Sequence, residues 1–221
     1  MILKKLFFVS IALVFLDQIL KVWVKTNLLI NESFKVFNQD WFVIKFLENN
    51  GAAFGFLGES GVATKIGLTL FRILVVVAGI YYIKKIIKRL SNGAIIALGL
   101  IIGGAVGNIV DSTFYGVVFN ESEVHNPWLV NQEEPAKFLS DQGGYSSVFQ
   151  GKVVDMFSFN LFQIDLPQWM AIPIPFSDIT ILSLLEGYDN VFTFFEPVFN
   201  LADAGISIGL FMLILFYRKE F

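Results

Sequence analysis

Four apolar stretches, each long enough to cross a bilayer, constrain this chain more than any other feature. A spanning helix needs about 20 mostly apolar residues, because a rise of about 1.5 Å per residue must cover about 30 Å of hydrocarbon. The stretches run from about 6 to 24, 66 to 83, 93 to 110 and 197 to 217. Of the 221 residues, 55% are hydrophobic and 16% charged, against roughly 45–50% and 25% in an ordinary soluble domain. A soluble fold of this size has no interior for 25 phenylalanines. The expected fold is therefore a mainly α membrane protein, with four transmembrane helices in one integral membrane domain over 1–221.

Lysine and arginine set the expected orientation. Lys4 and Lys5 precede the first span, Lys84, Lys85, Lys88 and Arg89 separate the second from the third, and Arg218 and Lys219 follow the fourth. Basic residues favour the cytoplasmic side, which puts both termini there. The first stretch continues through Asp17 to Trp23 without a small-x-small cleavage site, so it is expected to be retained. The segments left outside, about 25–65 and 112–195, carry most of the acids. Phe34 to Leu47 mixes aromatic and β-branched residues around Asn38-Gln39-Asp40 and predicts a hairpin against the membrane. Gly51-Ala52-Ala53-Phe54-Gly55 predicts a loop dipping into the interface, and the proline- and glycine-punctuated second segment predicts short strands and turns.

The chemistry is narrowed by what is missing. With no cysteine and one histidine, His125, the chain has no thiolate nucleophile and no two-histidine zinc motif. A net charge of −3 does not point to nucleic acid. What remains is carboxylates, amides, hydroxyls and a few lysines. Counted from the basic clusters, Asp17, Lys21, Asp203 and Asp111 lie about 18, 24, 22 and 27 Å up, in the outer leaflet. An ionisable group in hydrocarbon costs about 2.5–3.5 kcal/mol or more, so four at one level imply a shared polar site. Asp17 and Lys21, at i and i+4, predict a local ion pair. Arg72 is expected to snorkel to the outer end of its helix or to meet a carboxylate. Asn108 with Asp111, and Asn200 with Asp203, repeat an amide and an acid at i and i+3, predicting two Asn/Asp pairs in one pocket. Gly151 to Phe157 is an apolar run broken by Asp155, which offers a further carboxylate. In the third span Gly99, Gly103 and Gly107 form a small-residue face for another helix.

Five blocks together are recognisable: Leu16-Asp17-Gln18 with Lys21; Asn49-Asn50-Gly51-Ala52-Ala53-Phe54-Gly55; Gly104 to Asp111; Val153-Val154-Asp155; and Phe199-Asn200-Leu201-Ala202-Asp203. In order and over nearly the whole chain, they resemble the motif blocks of the lipoprotein signal peptidase (signal peptidase II) family. These are aspartic proteases of the bacterial inner membrane that remove the signal peptide from prolipoproteins, cleaving before the diacylglyceryl-modified cysteine. The resemblance implies Asp155 and Asp203 as the catalytic dyad and Asn108, Asp111 and Asn200 as supporting residues. Asn49, Asp17, Lys21 and Gly51 would belong to the surroundings of the site. It also implies a small extracytoplasmic β-rich cradle, an active site at the outer leaflet, membrane lipid as a partner and sensitivity to globomycin-type inhibitors, with no cofactor or metal. The chain departs from the family at Ser112, where arginine usually follows the acid; its contact is then missing or supplied by Arg72 or Lys152. The intervals from Asp111 to Asp155 and on to Asp203 are also long for the family.

A small polytopic transporter or ion relay predicts polar residues through the full membrane depth, and the lower halves of spans two to four carry no charge. A Ser/Lys membrane protease lacks a recognisable nucleophile setting, and a structural scaffold leaves the duplicated Asn/Asp pairs unexplained.

Overall fold

In the computed structural model, which describes residues 2–50, 61–125, 133–165, 191–194 and 197–221, all four apolar stretches are helical. Helix α1 is Ile2–Asn27, α2 is Val62–Ile86, α3 is Asn92–Val110 and α4 is Leu201–Met212. Each outlasts or shifts from its apolar core. The third continues through a wide π turn at Asp111–Tyr115 to Val118, and the fourth continues through a second π turn at Leu213–Tyr217. Among the described residues, four helices are long and apolar enough to cross a membrane. The strands are β1 (Ser33–Lys35), β2 (Phe42–Asn49), β3 (Val153–Phe159), β4 (Phe162–Asp165) and β5 (Val191–Phe194). One small sheet has the order β1-β2-β3, and β4 pairs antiparallel with β5.

The described residues fall into two units. The first draws on Met1–Glu32, Phe46–Met156 and Phe199–Phe221 and holds the helices. Within it α3 is the central element: it packs chiefly on α1 and α4 and less on α2. Its glycines explain the closeness. A methyl on Gly103 would lie 2.8 Å from the Ser10 carbonyl oxygen of α1, and one on Gly104 would lie 2.2 Å from that of Ala202 in α4. The predicted small-residue face therefore meets α1, and Gly104 beside it admits α4. By contrast α2 buries only Thr69 and Ile83 and leaves Leu70, Phe71, Leu74 and Val77 exposed, as expected of a helix facing lipid. An apolar core of Leu6, Ile83, Leu90, Ile95 and Leu98 closes the end that carries the basic clusters.

The second unit, Ser33–Lys45 with described residues of Phe157–Val198, holds the predicted hairpin. In it Ser33 pairs with Lys45 and Lys35 with Val43, antiparallel. The connection uses left-handed backbone at Phe37 (φ 51°) and Asn38 (φ 59°); asparagine tolerates that region better than most residues. Aromatic rings from the two strand segments stack, with Phe42 and Phe159 nearly parallel at 4.8 Å between centroids. Such offset aromatic pairs stabilise sheets beyond their buried area. The loop expected at Gly51 to Gly55, including Gly51 itself, lies outside the described residues.

Candidate active site

Helix ends carry Asp203 and Asp111. Asn200 is in extended conformation (φ −113°, ψ 177°) and caps α4: its side-chain oxygen accepts from the Asp203 backbone N–H at 2.9 Å, while the Asp203 carboxylate accepts from the Asn200 N–H at 3.5 Å. This reciprocal capping satisfies donors that the first helical turn leaves open. The Asn-x-x-Asp spacing, read as two positions on one helix face, is thus a helix start, and α4 begins at Leu201 rather than near 197. The other pair, Asn108 and Asp111, lies at the end of α3, where Asp111 opens the π turn.

Asn200 joins the two carboxylates that come from different elements. Its amide donates to Asp155 Oδ1 at 2.7 Å and to Asn108 Oδ1 at 3.2 Å; Asn108 in turn donates to Asp203 Oδ1 at 2.7 Å. The Met156 N–H, beside Asp155, donates to the Phe199 carbonyl at 3.2 Å, so β3 is tied by its backbone to the residue before Asn200. Asn49, at the end of β2, donates to Asp155 Oδ2 at 3.4 Å. The Asp155 carboxyl is pushed up to about 7. Burial is the main cause and the nearby charge of Asp203 adds to it, against hydrogen bonds from Asn200 and Asn49 and the charge of Lys21.

A second polar layer supports the first. Lys21, fully buried, contacts Asp17 Oδ2 at 2.9 Å, Asp111 Oδ2 at 2.8 Å and Asn108 Oδ1 at 2.9 Å. The predicted Asp17–Lys21 pair exists, but it reaches across to α3 as well. Asp17 also accepts the Ala202 N–H at 2.9 Å, at the positive end of α4, and Asp111 accepts the Val154 N–H at 3.3 Å. Gln18 donates to Asp111 Oδ1 at 2.8 Å and accepts from Tyr115 at 3.1 Å. The signal for Gln18 was its polarity inside an apolar run; the position of Tyr115 carried none.

Of the two expectations for Arg72, the carboxylate partner has support, since its guanidinium lies within reach of the Asp203 charge. The side chain is half-buried and donates to Ser112 Oγ at 3.5 Å. A guanidinium thus arrives from α2 beside the residue where the chain lacks one, whereas Lys152 is engaged by Glu48 and Glu121. No cluster of three or more His, Cys, Asp or Glu side chains suited to a metal occurs among the described residues.

Known proteins resemble this chain along most of its length. The family model described as signal peptidase (SPase) II matches residues 9–218. A lipoprotein signal peptidase of Porphyromonas gingivalis is 38% identical over 211 residues, covering 95% of this chain and 80% of its own. One from Amoebophilus asiaticus is 30% identical over 219 residues, covering 98% and 78%. A bacterial membrane enzyme solved by the in meso method at 2.3 Å superposes with a TM-score of 0.56 at 23% identity, covering 98% of this chain and 89% of that one, a likeness of fold.

Proposed function

The chain belongs to the signal peptidase II family, and from that premise we propose that Asp155 and Asp203 are its catalytic pair. As a member it is a multi-pass membrane peptidase of the aspartic type that removes signal peptides from prolipoproteins. The single observation that carries the finer reading is the Asn200 amide. It bonds Asp155 while its own side-chain oxygen and backbone bind Asp203, so one residue orients both acids.

Two carboxylates in a partly dehydrated site cannot both ionise, so the pair holds one proton over a working pH range. Burial favours the protonated form of Asp155. The proton-bearing acid polarises the scissile carbonyl while the ionised one takes a proton from water; the water oxygen bonds to the carbonyl carbon. Collapse of the tetrahedral intermediate breaks the C–N bond as the dyad returns a proton to the leaving amine. Asn108 and Asn200 hold the acids through this exchange, Asn49 supports Asp155, and Asp17, Lys21 and Asp111 form the floor beneath. Arg72, beside Ser112, holds a carbonyl of the bound peptide.

The bond cleaved is the one before a diacylglyceryl cysteine. That group cannot leave the bilayer, so its peptide bond waits at the outer leaflet of the inner membrane, the level the acids share. Lipid and the signal helix then supply binding energy away from the reacting atoms. Globomycin-type inhibitors would compete for the same cleft.

Asp155→Asn and Asp203→Asn should each abolish cleavage of a lipid-modified precursor by purified enzyme, a loss of at least about 1,000-fold, while the protein inserts and elutes as the parent does. An unlipidated precursor serves as control. Cleavage near the parent rate by either variant removes that residue from the dyad.

A further inference from the structure

A second buried charge cluster lies where β2 and β3 approach the acids, and the reaction as described leaves it without a role. Lys25, at the end of α1, is fully buried and ion-paired with Glu48, whose side chain is 4% exposed. Lys25 Nζ also lies 2.6 Å from Ser122 Oγ, which donates to Glu48 Oε1 at 2.8 Å. Lys152, just before β3, pairs with Glu48 Oε2 at 3.0 Å and with Glu121 at 2.6 Å. Its backbone N–H donates to the Tyr145 hydroxyl at 2.7 Å, and the Tyr145 ring sits 5.1 Å from the Lys25 ammonium. Burial pushes the Glu48 carboxyl up, but the Lys25 charge and hydrogen bond, then the Lys152 charge, outweigh it and hold Glu48 below the usual carboxylate range.

The chain positions give the cluster its meaning. Glu48 precedes Asn49, and Lys152 stands three residues before Asp155. In a strand, neighbouring side chains point to opposite faces. Anchoring the Glu48 carboxylate on one face therefore fixes the roll of the strand that presents Asn49 on the other. A buried ion pair is weak as a stabiliser, because desolvation cancels most of its attraction and an apolar pair of similar volume often serves as well. What it does supply is a unique register. Asn49 reaches Asp155 at 3.4 Å, a contact that a small displacement of β2 would break.

We infer that Glu48, clamped between Lys25 and Lys152, is a positioning residue for Asp155, acting through Asn49. This rests on the reading of Asp155 as a member of the catalytic pair. Among the described residues, the groups that face Asp155 are Asp203, Asn200, Asn49 and Lys21. Of these, the Asn49 hydrogen bond favours the ionised carboxylate, so releasing Asn49 extends the protonated form to higher pH.

The test is a kinetic double-mutant cycle on full-length enzyme with a lipidated precursor. Glu48→Gln should lower kcat about 10- to 100-fold, with KM within about twofold, the cost expected of a small misplacement at the reacting groups. Its alkaline limb should move to higher pH. Asn49→Ala should do the same, and the combined variant should cost no more than Asn49→Ala alone. Multiplying losses, or a Glu48→Gln enzyme with parental kcat and alkaline limb, overturns the proposal. Should Glu48→Gln fail to fold with Lys25 left unpaired, Lys25→Met/Glu48→Leu removes both charges. That enzyme is expected to keep a thermal midpoint near the parent's yet show the reduced kcat and shifted limb. Parental kinetics in it would sink the clamp. Asp155→Asn run alongside separates the two readings: an active Asp155→Asn defeats the catalytic pair, whereas an inactive one beside a parental Glu48→Gln defeats only the clamp.

Discussion

At the scale of single residues, the proposed reaction turns on the position of one proton. Burial and the Asp203 charge push the Asp155 carboxyl up from its ordinary 3.8 to about 7, so it stays largely protonated in mildly acid solution and gives up its proton as pH passes through neutrality. A dyad without a proton cannot polarise a carbonyl, and the rate of cleavage should therefore fall as pH rises beyond about 7. A pH–rate profile of kcat/KM with lipidated precursor checks this, reporting apparent values of the coupled pair. The same shift has a stability side. With the folded value raised, the stabilisation from holding this proton is fully present below about 4 and is lost progressively as pH rises to about 7. Asp155→Asn removes a group whose ionisation the folded chain opposes. Its thermal midpoint should exceed the parent's, and by more at pH 8 than at pH 5. An equal offset at both pH values would mean that Asp155 is not the group held protonated. Activity and stability thus pull apart at this residue, as is common at strained sites.

At the scale of elements, the acids depend on how closely α3 approaches α4. Gly104 lies one turn before Asn108, and a methyl there would fall 2.2 Å from the Ala202 carbonyl oxygen, a backbone atom with nowhere to go. Gly104→Ala should push the helices apart, stretch the Asn108–Asp203 bond and reduce cleavage more than about tenfold, with a lower thermal midpoint. Gly79→Ala on α2 meets nothing within 4 Å and should leave both unchanged or raise the midpoint slightly, since alanine favours helix by roughly 1 kcal/mol over glycine. Equal effects of the two would refute the close-approach argument. The same elements show what is legible in the sequence. Hydropathy length found the four helices, aromatic and β-branched residues around Asn38-Gln39-Asp40 found the hairpin, and i,i+4 spacing found the Asp17–Lys21 pair, because each is a local property of the chain. The partners of Lys21 on α3 were hidden, since spacing within α1 says nothing about which residues of α3 stand opposite. Asn200 was seen as a site residue but misjudged as helical, because Asn-x-x-Asp fits a capping box and a helix face equally well. Lys25 and Glu48 carried no signal at all: each sits at an element end, where a charge is ordinarily solvated.

At the scale of the whole molecule, the distribution of charge argues for one orientation. The basic clusters come together at one end of the helical unit: Lys5 Nζ donates to Asn92 Oδ1 at 3.0 Å, and the Ser91 N–H donates to Glu220 at 2.7 Å. The start of α1, the turn between α2 and α3 and the end of the last helix therefore share a side. Lys84, Lys85, Lys88, Arg89, Arg218 and Lys219 add their charge there. Clustered lysine and arginine resist transfer across the membrane, and that side is expected to be cytoplasmic. Asp203 at the start of α4 and Asp111 at the end of α3 then stand at the opposite end of their helices, where a substrate held in the outer leaflet would meet them. Reporter fusions decide it. Green fluorescent protein joined after Phe221 should fluoresce and alkaline phosphatase there should be inactive, while phosphatase inserted after Gln142, at an exposed position, should be active. The reverse pattern would place the acids on the cytoplasmic face, where no lipid-modified precursor presents its cleavage site, and the proposed reaction would fall with it.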